Sequence, residues 1–134
     1  MPLTIADAQK VIDAASAKAD ALGIKVTFAV VDEGGHLVAL SRMDGAGPLT
    51  PSVAEGKAIG AALLRRDGAA LLSMANDRAA FWAAVKDRDR IAMVPGPGSL
   101  LISVGGAVVG AIGVSGARPE QDAECAEAGA AALS

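Results

Sequence analysis

The sequence has no tyrosine, one histidine, one cysteine, and as its aromatic side chains only Phe28, Phe81 and Trp82. A lone cysteine, Cys125, excludes an intrachain disulfide and any cysteine-based zinc site. Amid Ala and Glu at helical spacing, it reads as a small, half-buried helix residue rather than a reactive thiol. A lone histidine excludes the clustered imidazoles of a dedicated transition-metal centre, so no metal site is expected. No stretch is apolar for the roughly 18 residues that a membrane span requires. An excess of basic charge is also missing. Twelve Lys and Arg stand against 15 Asp and Glu, a net charge of −3. The densest basic group, Lys86 to Arg90, is interleaved with Asp87 and Asp89. Nucleic-acid binding, which needs clustered cations, is not expected. The first residues, Met1 to Asp7, carry neither a basic nor an apolar leader segment, so the cytoplasm is the expected compartment.

What the chain has in quantity is small. Hydrophobic residues make up 52% of 134 positions and glycine fills 16, and much of the apolar fraction is alanine. The length suits one domain spanning 1–134. Alanine and glycine bury little area per residue, so a homo-oligomer that shares surface between subunits is expected.

The pattern divides into helices and hairpins. Thr4 and Asp7 form a capping box, and Ile5, Ala8, Val11, Ile12, Ala15, Ala19 and Leu22 share one helical face up to Gly23. The β-branched run Lys25–Asp32, the turn Glu33–His36 and the run Leu37–Met43 predict a hairpin. A loop over 44–51 leads to a helix capped by Thr50, with Pro51 at its first position, running to about Arg66. Two shorter helical pieces are predicted near 69–75 and 77–87, the second capped by Asn76 or Asp77. Ile91–Val94 reads as a short edge strand, ended by Pro95–Gly98. Leu100–Val104, Gly105–Gly106 and Ala107–Ser115 predict a second hairpin, and Pro119 opens a closing helix. Hairpins without βαβ crossovers imply an α+β domain with an antiparallel sheet under helices.

Three segments carry a family resemblance: Val30–Ala46 (VVDEGGHLVALSRMDGA), Lys57–Ala58, and Gly110–Ala117 (GAIGVSGA) followed by Gln121–Asp122. Together they resemble the GlcG/HbpS family and are similar to the C-terminal domain of PduO-type cobalamin adenosyltransferases. The resemblance covers nearly the whole chain. It implies a profilin-like, five-stranded antiparallel sheet flanked by helices, dimers that assemble further, and haem as the suggested cofactor.

His36 is the only side chain with an ordinary pKa near neutrality and the only imidazole available to haem iron. It is the candidate cofactor ligand, beside the plainer reading of a solvated turn residue. Arg42 and Asp44 lie on one strand face by two-residue periodicity. With Lys57 they form the candidate catalytic set: Arg42 and Lys57 receive a carboxylate while Asp44 orients Arg42. A snorkelling Lys57 is the alternative. Asp32 is either an Asx-turn residue or a pocket carboxylate, and Asp122 suits a helix N-terminus. No dinucleotide fingerprint, Walker A motif or nucleophile elbow occurs. Gly110, Gly113 and Gly116 imply close backbone approach.

Two functions follow. One is a small-ligand or cofactor-binding protein, with haem suggested by the resemblance. The other is a cofactor-free enzyme acting on a small carboxylate-bearing metabolite, with Asp44 or His36 moving a proton. A structural subunit without pocket chemistry is a third reading. Residue types alone leave open whether the chain is an enzyme.

Overall fold

Thr4 Oγ1 accepts the Asp7 N–H at 3.0 Å and the Thr4 N–H reaches Asp7 Oδ2 at 3.4 Å, opening helix α1 (Ile5–Leu22). Gly23, at φ 69°, closes it in the left-handed conformation that glycine adopts most readily. This computed structural model describes residues 2–133.

Strands β1 (Thr27–Asp32), β2 (Leu37–Arg42), β3 (Ser99–Val104) and β4 (Ala107–Ser115) form one antiparallel sheet in the order β2-β1-β4-β3. Both predicted hairpins are present. Beside the sheet lie α2 (Thr50–Leu64), α3 (Gly68–Asp77), α4 (Ala79–Val85) and α5 (Pro119–Ala131).

Central strand β1 is apolar on both faces because helices cover both. Phe28 and Val30 point to one side, into a core with Val11, Ile12, Ile112 and Cys125 between the sheet, α1 and α5. Ala29 and Val31 point to the other, where Ala54, Ala58, Ile59 and Leu71 join them beneath α2 and α3. Small residues let α2 lie almost on the backbone of β4. A Cβ on Gly113 would overlap the Ala54 carbonyl and approach the Ala58 nitrogen to 2.7 Å. At Gly113 the expected close approach is therefore helix against strand, whereas Gly110 and Gly116 lie against neighbouring backbone at Val31 and Lys25.

Among the described residues the expected fifth strand is absent, and the sheet has four strands. Residues 91–94 run along α2, and their backbone bonds are single ones: Met93 N to Lys86 O at 2.8 Å and Val94 N to Gly56 O at 3.1 Å. The apolar character that suggested a strand serves this docking instead. Met93 is buried beside Gly60, and Val94 lies against Gly56. The Arg90–Glu55 ion pair holds the same segment to α2. Two caps also differ. Thr50 is the first residue of α2 rather than its cap, its hydroxyl lying 2.8 Å from that of Thr27. Arg78, not Asn76 or Asp77, precedes α4.

Candidate functional site

The β1–β2 turn is organised by Asp32. Its Oδ1 accepts the N–H of Gly34 at 2.9 Å and of His36 at 3.0 Å. Its backbone N–H donates to the His36 carbonyl at 2.8 Å, and its carbonyl accepts from Gly35 at 3.0 Å. This is the Asx-turn chemistry read from the sequence. Asp32 also lines a cavity, though not one shared with Arg42, Asp44 and Lys57, where the alternative reading puts its carboxylate.

That cavity, about 250 Å³, lies where the turn meets the chain start and β4: Asp32, Glu33, Gly34 and His36 face Pro2, Leu3 and Val109. A second hollow of about 200 Å³ shares Pro2, Leu3 and Val109 and extends to Asp7 and Val104. The result is a shallow groove with an apolar floor and a polar rim. The His36 ring lies over Gly34. A Cβ on Gly34 would sit 3.2 Å from His36 Cδ2 and 3.3 Å from Nε2, so the missing side chain is the seat of the imidazole. His36 is otherwise exposed. The sequence marks the imidazole, but not the chain start and Val109 that complete the groove.

Arg42, Asp44 and Lys57 lie at the opposite end of the sheet. Arg42 ends β2 opposite Thr27, which pairs with Ser115 of β4. At about 3.3 Å per residue, six residues of β2 separate it from His36 by roughly 20 Å. Arg42 and Asp44 are exposed, and neither side chain makes a hydrogen bond or ion pair among the described residues. Lys57 turns inward. Its Nζ donates to the carbonyls of Val114 at 2.9 Å and Pro97 at 3.1 Å, and lies 3.4 Å from Asp122 Oδ2. Asp122 Oδ1 accepts the Ala117 N–H at 3.0 Å. A Cβ on Gly98 would lie 2.8 Å from Nζ, so that glycine leaves room for the ammonium. The structure thus joins Lys57 to Asp122, a partner 65 residues away that no local pattern marks. Arg42 and Asp44 are not drawn into that contact. Burial pushes the Asp122 carboxyl above its usual range, against the lowering influence of Lys57 and the Ala117 N–H.

Cys125 is fully buried, deeper than the half-buried position expected, and desolvation lifts its thiol to about 11. A thiol so placed is inert at neutral pH. The Pro95–Gly98 connection lines neither hollow. Among the described residues no three His, Cys, Asp or Glu side chains converge to hold a metal ion, and no helix is long and apolar enough to cross a membrane.

Residues 3–131 match the family described as haem degrading protein HbpS-like. Protein GlcG of Escherichia coli K12 is 38% identical over 109 residues, 81% of this chain and 77% of GlcG. A crystal structure of a double mutant of Streptomyces reticuli HbpS superposes with a TM-score of 0.85 at 32% identity, covering all of this chain and 88% of that one. The crystal structure of a PduOC:heme complex superposes with a TM-score of 0.88 at 25% identity, covering 99% and 96%.

Proposed function

Because the chain belongs to the HbpS-like family, we propose that it is a small-ligand-binding protein that holds haem at the β1–β2 groove, with His36 as the iron ligand. One observation carries this reading: the chain's only imidazole lines the larger of the two hollows. The floor beneath it, Leu3 and Val109, suits the apolar edge of a macrocycle, and Asp32 fixes the turn that presents the ring. Each hollow is below the roughly 300–1,000 Å³ of sites that enclose a drug-sized ligand. A haem held here would therefore keep much of its surface uncovered. When bound, it would supply an iron centre; His36 would hold the iron, and Leu3 and Val109 would supply an apolar bed.

A homo-oligomer belongs to the same reading. Leu37 and Leu40 of β2 stand opposite Val31 and Ala29, on the α2 face, and remain exposed, as does Leu63 of α2. Covering such a surface needs a partner, and a second copy supplies one.

The test is a haemin titration followed by visible absorption. A saturable Soret shift at one haem per chain, lost in His36→Ala with the circular dichroism unchanged, is the expected result. A titration without saturation removes the reading. Saturable binding that survives His36→Ala removes the imidazole from the iron.

A further inference from the structure

Among the described residues, the charged side chains that line the two hollows are all acidic, with His36 as the other titratable group. Asp32 and Glu33 line the larger hollow and Asp7 the adjoining one, and no Lys or Arg lines either. Only one oxygen of Asp32 is occupied by the turn, and the Glu33 carboxylate has no partner among the described residues. Asp7 Oδ2 has only the Thr4 N–H, at 3.4 Å. Arg65 reaches the same turn, but its Nη1 donates to the carbonyls of Glu33 and Ala62, at 2.9 and 2.8 Å.

We infer that this groove selects by charge: it accepts the neutral or cationic side of a flat, apolar ligand and turns carboxylates away. The inference rests on the groove being the binding site, as proposed above. For a porphyrin it fixes an orientation. The alkyl-bearing edge lies on Leu3, Val104 and Val109, while both propionates face solvent or a neighbouring subunit. A small carboxylate metabolite is a poor occupant of this groove. Two like charges about 7 Å apart in water weaken binding roughly two- to threefold per pair, and more where the site is partly desolvated.

Two measurements separate this inference from the haem reading. The first compares haemin with its dimethyl ester, which has lost both negative charges, by Soret titration in one buffer. The ester is expected to bind at least as tightly as haemin. Glu33→Gln is expected to tighten haemin roughly two- to threefold and not to tighten the ester, whose ferric centre keeps a net positive charge. Haemin binding several-fold tighter than the ester, with no gain in Glu33→Gln, overturns the inference, because it means that cations hold the propionates.

The second measurement needs no haem. Benzamidine and benzoate, flat probes of similar size and opposite charge, are titrated while the amide resonances of Leu3, Gly34 and Val109 are followed by NMR. Benzamidine is expected to shift them and benzoate not. Equal shifts from both, or shifts from benzoate alone, overturn charge selection even if haemin binds. If benzamidine shifts them but neither haemin nor the ester gives a Soret change, the haem reading fails and charge selection stands.

Discussion

Lys57 of α2 and Asp122 of α5 meet 3.4 Å apart with side chains only 10% and 5% exposed, an ion pair that ties helices on opposite faces of the sheet. Lys57 also bonds the last turn of chain before β3 and the end of β4. Four segments thus converge on one ammonium group.

Removing that ammonium is expected to leave Asp122 charged and buried without its partner. Lys57→Met should therefore lower unfolding stability by about 3–5 kcal/mol, although the aliphatic stem is retained. Adding Asp122→Asn removes the stranded charge while keeping an acceptor for the Ala117 N–H, and should recover much of the loss. Urea denaturation of both variants measures this. A loss below about 1 kcal/mol in Lys57→Met would mean that the pair is as weak as a surface bridge.

The raised pKa of Asp122 has a definite sign in stability. Unfolded aspartate titrates near 3.8 and the folded group above it, so between those values the folded chain holds more protons. Its contribution is complete below the unfolded value and falls as pH rises through the folded one. The stability of wild type relative to Asp122→Asn should accordingly be greater near pH 3.5 than near pH 6. An advantage that grows with pH instead would show that Lys57 outweighs the cost of burial.

Gly34 is expected to matter to the imidazole and not to the fold. Its φ lies outside the left-handed region, so alanine fits the backbone, while the added Cβ crowds His36 Cδ2 at 3.2 Å. Gly34→Ala should change stability by less than about 1 kcal/mol. It should alter the haemin Soret band or weaken haemin binding. An identical spectrum and affinity would show that the ring does not use its seat over Gly34 when ligand is present.

Cys125 should resist thiol reagents in the folded protein and react only after denaturation. Its thiol, raised to about 11 from 9.0, also makes stability decline above pH 9, since the unfolded chain loses that proton first. Rapid labelling at neutral pH in native buffer would place the thiol at the surface.

What the sequence disclosed was local in origin. The Thr4–Asp7 box, Gly23 and the turns at Glu33–His36 and Gly105–Gly106 depend on residues within a few positions of one another, and each is found where its pattern stands. Ile91–Val94 misled because apolar, β-branched composition cannot distinguish a strand from an extended segment lying on a helix. What decides between them is the pair of bare positions Gly56 and Gly60, more than 30 residues earlier. The site followed the same division. His36 was visible as the only imidazole, whereas the groove beside it is closed by Leu3 and Val109 from opposite ends of the chain. Asp122 lacked any pattern linking it to Lys57. Arg42 and Asp44 were placed on one strand face by periodicity, which says nothing of how far Lys57 turns into the protein.

The glycine and alanine contact between α2 and β4 also governs how the protein responds to temperature. Where a helix rests on a strand through Ala54, Ala58 and Gly113, cohesion comes from close backbone contact rather than from large side chains removed from water. Unfolding then hydrates less hydrocarbon per residue than in a domain filled with leucine and phenylalanine. Its heat capacity change should fall at or below the low end of the usual range of about 12–15 cal/mol/K per residue. A smaller heat capacity change flattens the curve of stability against temperature, so the fold loses little on cooling and weakens gradually on warming.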